Sequence, residues 1–546
     1  MPVNHKSKIM SLRTQQRQKV SLFARQKKWL LIYGFLFSVT GCSKAQISSD
    51  NAKSGLENKE VVITIDASGT YQKIDHFGAS DAWSCQFVGN WPDAGRNAIA
   101  DLLFSQDTTA NGQPLGIGLS VWRFNIGAGS TLQDEGSGIG DEWRRADSFL
   151  NDDGSYNWDR QAGQIWFLNA AKKRRVNQFL AFTNSPPVQY TVNKKAFATA
   201  GKSNLSVDKF DAFASFLTNV IKGVKNKTGI LFDYISPVNE PQWEWSDGGQ
   251  EGTPFNNSEI AGITRSLSAS LIKQNLSTKI SVAEAGQLDF LYSAGNNPVK
   301  GNQVTDFFRT DSPNYLGNLP NLEKAISGHS YFTSSPFEQA SEKRRQLAGS
   351  VSAIPSLKYW MSEYCILGDN SGEMNGNKKD LGIDPALYVA RTIHNDLVNG
   401  NASAWHWWVA ISPYDYKDGL IYIDKAKTDG SFNTSKMLWG FGNFSRFIRP
   451  GAERISASLE NADAQSNLFL VSSYKDLAAK QLVTVIVNSG INPVNIKLAI
   501  RNLKVTAVRP FITSKDADLK PAALTKSDQV ITIPARSVTT LVGDIL

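Results

Sequence analysis

Two glutamates that each close a short apolar run carry the most chemistry in this sequence. In SPVNEPQWEW, residues 236–245, Glu240 follows Asn239 and precedes Pro241, just after the apolar LFDYI. In KYWMSEYC, residues 358–365, Glu363 stands near the end of another apolar run. A facing pair of carboxyl groups is what glycosidic-bond cleavage needs: one protonates the leaving oxygen, and the other attacks the sugar or activates water. A separation of about 5 Å gives a nucleophile and retention of configuration, whereas about 6.5–9.5 Å leaves room for water and gives inversion. The acid must keep its proton near neutral pH. Apolar walls and a nearby carboxylate both raise a carboxyl pKa, and Trp243 and Glu363 could supply these for Glu240. The same kind of position holds Asp81 and Trp83 in HFGASDAW, Arg123 and Asn125 in RFNIGAG, His329 and Tyr331 in GHSYF, and Trp405 to Trp408 in ASAWHWWVA. The chain has 14 Trp, and a flat apolar ring packs well on the face of a sugar.

These residues need a frame that gathers strand ends at one mouth. Eight apolar runs are read as strands: 73–80, 119–129, 177–187, 232–242, 279–286, 326–332, 358–365 and 402–410. Helical patterns such as DAFASFLTNVIKGV (211–224) and PALYVARTIHNDLVNG (385–400) lie between them. Eight such units predict an α/β fold, a (β/α)₈ TIM barrel whose active site lies at the C-terminal strand ends. A doubly wound sheet would show a Gly-rich phosphate turn after its first strand, and HFGASDAW makes none. Beyond residue 450, short alternating runs without helices predict an appended antiparallel β-sandwich. VVITIDAS (61–68) has the same character. The expected organisation is a signal peptide at 1–41, a tether at 42–58, a strand at 59–72 joining the sandwich, the barrel at 73–449 and the sandwich at 450–546.

Charge narrows the partners. The net charge is +8, yet residues 1–41 hold eight basic and no acidic side chains, which leaves 50 of each sign in the rest. A basic stripe for nucleic acid is therefore not expected. The basic segment runs into WLLIYGFLFSV (29–39), too short to span a bilayer and suited to an export signal, and then into VTGC. This resembles a bacterial lipoprotein signal, so Cys42 is the expected lipidation site, with Met10 as an alternative start. The expectation is an exported bacterial lipoprotein at the outer membrane, on its periplasmic or cell-surface face, touching membrane only through that anchor. Cys85 and Cys365 read as free buried thiols, with one bridge as the alternative. Scattered His and no HExxH or paired-Cys motif give no expectation of a metal or other cofactor.

HFGASDAW, RFNIGAG, SPVNEPQWEW followed by QEG, GHSYF, SEY and the closing IPARSVTTLVG together resemble glycoside hydrolase family 30 over essentially all of the chain from about residue 60. The resemblance implies a retaining hydrolase, with Glu240 as acid/base and Glu363 as nucleophile. It implies that Asn239 holds the sugar 2-hydroxyl, that Arg123 supports the nucleophile, and that Asp81, Trp83, His329, Tyr331 and Trp405 line the −1 subsite. Trp405 is chosen over Trp407, which shares its face. Glu244 and Glu251 are left to loop contacts or solvent. Within the family, SPVNEPQWEW with QEG and YDYKDGLIYID look most like the endo-β-1,6-galactanase branch. A β-1,6-glucanase or a xylanase or β-xylosidase is the alternative, and an inactive surface glycan-binding lipoprotein is the alternative of another class.

Overall fold

The computed structural model describes residues 60–295, 297–460 and 467–546. The expected signal peptide, lipidation site Cys42 and tether lie outside the described residues. The described part of the chain begins with β1 (Val61–Lys73) and then enters eight strands: β2 (His76–Ser80), β3 (Val121–Asn125), β4 (Gln178–Phe182), β5 (Tyr234–Ser236), β6 (Lys279–Ala285), β7 (Leu322–His329), β8 (Lys358–Tyr364) and β9 (Ala404–Ser412). They pair in parallel in chain order, and β9 pairs with both β8 and β2, which closes the barrel. Nearly every residue of these strands is buried, as expected where helices cover the outside and side chains fill the inside. Two strands not foreseen, β10 (Gly419–Ile423) and β11 (Phe432–Thr434), extend the sheet from β9.

β5 is much shorter than the 232–242 run predicts. Pro237 follows Ser236 and has no N–H for the ladder. The chain turns there, so Asn239 and Glu240 stand just beyond the strand. Inside the barrel, below the site, an aromatic layer seals the floor. His76 and Trp360 have ring centroids 4.6 Å apart, Tyr234 and Trp360 4.9 Å, and His76 and His406 4.9 Å.

The second sheet comprises β12 (Glu453–Glu460), β13 (Phe469–Asp476), β14 (Gln481–Asn488), β15 (Val494–Arg501), β16 (Ala507–Ser514), β17 (Ala517–Pro521), β18 (Thr525–Lys526), β19 (Ile531–Ile533) and β20 (Ser537–Asp544). β1 lies inside this sheet, antiparallel to β12 and parallel to β15. Ile63 and Ile65 thereby join Leu482, Ile486, Ile496 and Leu541 in its core. The β1–β15 pair departs from the wholly antiparallel expectation. It arises because a strand from before the barrel enters the middle of a sheet built after it. The helix Lys436–Ser445 fastens the sheet to the barrel, with Asn443 Nδ2 donating to Phe511 O at 3.1 Å and Thr540 Oγ1 at 2.9 Å. Cys85 and Cys365 are both free and buried.

Candidate active site

Glu240 and Glu363 meet at the barrel mouth. One carboxylate oxygen from each, together with a His329 ring nitrogen, lie within 4.8 Å of one another. Glu240 has φ 44°, a left-handed backbone that costs a residue with a Cβ and persists where the surroundings fix it. Its N–H donates to Glu284 O at 2.8 Å, which supplies part of that fixing. Glu363 reaches the interior through an irregularity in β8: His329 pairs with Glu363, one residue later than the Gly328–Met361 register requires. Such a bulge re-aims a side chain, and here both Ser362 and Glu363 face the site.

The nucleophile candidate is held by two donors. Arg123 Nη1 pairs with Glu363 Oε2, and Tyr331 Oη donates to Glu363 Oε1 at 3.1 Å. Arg123 is fully buried, with its guanidinium 4.0 Å above the Phe182 ring. It also reaches Asn239 Oδ1 at 3.4 Å and Glu284 Oε2 at 3.3 Å. On the other side, His329 Nδ1 lies 2.9 Å from Glu240 Oε1, and its Nε2 lies 3.0 Å from Glu284 Oε2. Burial raises the Glu240 pKa and the Glu363 charge adds to this, while His329 and a hydrogen bond from Trp243 oppose it. Trp243 is thus both an apolar neighbour and a donor that favours the carboxylate. Burial alone would lower the His329 pKa, but Glu363, Glu240 and Glu284 outweigh it and push it up to about 10. The three facing atoms have the spacing of a metal's ligands, but Arg123 and Tyr331 already engage Glu363 and His329 sits between two carboxylates. The positive charge of this site comes from its own side chains.

Residues 60–422 match the family model described as O-Glycosyl hydrolase family 30. The chain belongs to O-glycosyl hydrolase family 30. It is an O-glycosyl hydrolase, and its substrate is a carbohydrate. It is 24% identical over 413 residues to an endo-beta-1,6-galactanase of Hypocrea rufa, covering 72% of this chain and 76% of the relative. It is 27% identical over 395 residues to a glucuronoxylanase of Bacillus subtilis, covering 72% and 79%. A solved conserved exported protein from Bacteroides fragilis is 33% identical, with a TM-score of 0.82, over 88% of this chain and all of that one.

Around this family 30 pair the structure gathers most of the residues expected there. Asp81 is fully buried at the end of β2 and accepts the Asn125 N–H at 2.8 Å. Burial pushes its pKa up to about 8, so it is a carboxylic acid at neutral pH. Trp83 stands edge-on to Trp408, with centroids 5.3 Å apart. Trp243 stands edge-on to Phe290 and Phe332, and Phe332 is 41% exposed at the mouth. Gly286 makes room for Trp243, since a Cβ there would come 2.5 Å from Trp243 Nε1.

Trp405 is not among them. It points out of the barrel, donates from Nε1 to Asp396 Oδ2 at 2.9 Å and packs against Phe441. Trp407 points the same way and donates to Asp418 O. The face of β9 that looks inward carries His406 and Trp408, so Trp408 takes the place expected of Trp405. Glu284, at the end of β6, is a site residue that the sequence reading passed over. The available signal was a lone Glu near the end of the buried run KISVAEAG, the same signal that marked Glu240 and Glu363. Glu251 is buried and not a solvent residue: it accepts from Ala128 N at 2.9 Å, Ser130 N at 3.1 Å and Ser130 Oγ at 2.6 Å. It thereby clamps the loop after β3. Gly127 in that loop backs onto protein, since a Cβ would meet Asp147 O at 2.0 Å.

Proposed function

We propose that the chain is a retaining β-glycosidase working by double displacement on an exported, lipid-anchored scaffold, and that its substrate is a β-1,6-linked galactan cut internally. The observation that carries the chemistry is the Glu240–Glu363 pair facing each other at the barrel mouth, one oxygen of each within 4.8 Å of the other, close enough for both to act on one anomeric centre. Glu240 protonates the leaving oxygen while Glu363 attacks the anomeric carbon. Glu240 then removes a proton from the water that releases the sugar. Arg123 and Tyr331 hold Glu363 as the attacking carboxylate, and in this reading Asn239 holds the 2-hydroxyl beside it.

The galactan assignment is supported by the SPVNEPQWEW and YDYKDGLIYID segments and by the fungal galactanase relative. The glucuronoxylanase relative favours a xylan as the second reading. Lys417, the cation nearest that purpose in the loop after β9, is consumed internally, donating to Asn377 O at 3.0 Å and Lys378 O at 2.9 Å. Product analysis on arabinogalactan side chains, β-1,6-glucan and glucuronoxylan tests the assignment. Oligomers from the first substrate alone are expected, and oligomers from xylan alone would reverse it. Glu363→Ala should abolish turnover, with azide restoring part of it and yielding a glycosyl azide. An undiminished rate in that variant would sink the mechanism. An inactive glycan-binding protein has no need of both carboxylates. The anchor reading rests on the basic segment and VTGC, and palmitate labelling that persists in Cys42→Ser would overturn it.

A further inference from the structure

Glu284 is fully buried and held on every side. Ser236 Oγ donates to its Oε1 at 2.8 Å, and Ser362 Oγ donates to its Oε2 at 2.7 Å. Arg123 and His329 reach the same Oε2 at 3.3 and 3.0 Å. Its backbone has φ 53°, and its carbonyl accepts the Glu240 N–H. Such a carboxylate is closed to substrate, but it touches the supports of both catalytic candidates.

We infer that Glu284 is a positioning residue that keeps His329 a cation through both half-reactions, so that Glu240 can serve as acid in the first and as carboxylate base in the second. This rests on the roles given to Glu240 and Glu363 above. Both His329 nitrogens face carboxylate oxygens, and a neutral imidazole has only one N–H to give. A protonated Glu240 could give its own proton to Nδ1, so what favours the imidazolium is the setting: Glu284 Oε2 lies 3.0 Å from Nε2, and oxygens of Glu240 and Glu363 lie 2.9 and 3.6 Å from Nδ1. In the resting site Arg123 and His329 are then positive, Glu284 and Glu363 are negative, and Glu240 carries a proton. The buried cluster is neutral.

In the first step the bond from the anomeric carbon to the leaving oxygen breaks, and a bond to Glu363 forms. The Glu240 proton goes to the leaving oxygen. Glu363 loses its charge as an ester while Glu240 gains one, so the negative charge moves between two groups that both face His329 Nδ1, at 3.6 and 2.9 Å. In the second step water attacks the anomeric carbon, its proton returns to Glu240, and the bond to Glu363 breaks. His329 faces the moving charge throughout, and Glu284 is the fixed anion behind it. The remaining titratable neighbours are Tyr331, Cys365 and His406. Burial holds the tyrosine and thiol pKa values well above their usual range and the His406 pKa well below it. None of them replaces the Glu284 charge. Burial opposes ionisation of Glu284 itself, but Arg123, His329 and Ser362 overcome it and hold its pKa far below the carboxylate range.

The test is Glu284→Gln in the full chain, with kcat/KM followed across pH on the polysaccharide that the wild type cleaves and His329 followed by histidine-selective ¹⁵N NMR, assigned with His329→Asn. Removing the anion makes the cluster release a proton at lower pH. The alkaline limb should move down by about one pH unit or more, and kcat/KM at neutral pH should fall about 10²-fold. The His329 imidazolium signal should be lost at neutral pH. Glu284→Asp keeps the charge and should return the limb towards its wild-type position while kcat stays low. A folded Glu284→Gln with both limbs unmoved and His329 still an imidazolium overturns the proposal. If that variant does not fold, the wild type decides: a His329 that has lost its imidazolium signal by neutral pH also overturns it. A silent Glu284→Gln beside a dead Glu363→Ala defeats this inference alone, whereas an active Glu363→Ala defeats the mechanism beneath it.

Discussion

Asp81→Asn should make the protein more stable, increasingly so as pH rises. In the folded chain one Asp81 oxygen accepts the Asn125 N–H, and the other is buried with no hydrogen-bond partner. Burial raises the pKa from 3.8 to about 8. Between those two values the folded chain holds a proton that the unfolded chain has released, so stability falls with rising pH over that window and levels off above it. Below about pH 4 both states are protonated and the residue costs nothing. A shift of about four units at 1.36 kcal/mol each sets a ceiling of about 5–6 kcal/mol at pH 8. Relaxation around a buried charge lowers this, and about 2–4 kcal/mol is the expected gain. Asparagine keeps the acceptor for Asn125 and carries no titrating proton. Urea unfolding of both proteins at about pH 4, 6 and 8 reads the difference. It should be near zero at the lowest pH and largest at the highest. A gain that does not vary with pH would refute the reasoning, because packing alone has no proton linkage.

Trp405→Ala should cost about 3–5 kcal/mol of stability, since a buried indole is lost and Asp396 loses a donor. The folded fraction should keep its kcat/KM, which thermal unfolding beside initial rates will show. Trp408→Ala should do the reverse, lowering kcat/KM about 10–10²-fold through misplaced substrate with a smaller loss in Tm. Glu251→Ala leaves the Ala128 and Ser130 N–H groups and the Ser130 hydroxyl without their acceptor. It should destabilise by about 2–4 kcal/mol and speed amide hydrogen exchange in the loop after β3. Unchanged exchange there would remove Glu251 from its clamping role.

Glu240 and Glu363 were legible because a charged residue at the end of a buried run is costly and must be used. The same logic extends to Glu284, but KISVAEAG carries no neighbouring Asn or aromatic to single it out. Trp405 was misplaced for a different reason. Alternation in ASAWHWWVA correctly puts Trp405 and Trp407 on one face, but it does not say which face points in. The phase is set by pairing with neighbours: Trp405 opposes Phe77, and both pack outward against Phe441 of the helix Lys436–Ser445. β5 ended early because Pro237 lacks an N–H, a limit written in the sequence. The parallel β1–β15 pair was not legible, because it joins segments separated by the entire barrel.

The place of β1 in the second sheet has a consequence during synthesis. Val62 to Asp66 pair with Glu460 to Ser456 on one side, and Val61 to Asp66 pair with Ile496 to Arg501 on the other. The first strand among the described residues is therefore among the last to find its neighbours. At the ribosome's rate of about 5–20 residues per second, roughly 400 residues take about 20–80 s to emerge. Until the last quarter of the chain has been made and has reached the compartment where it folds, VVITI stands as an unpaired apolar edge, a segment of the kind that invites sticking to other chains. Chaperone capture at residues 61–65, and soluble yield, should accordingly respond to how quickly the last quarter of the chain is delivered.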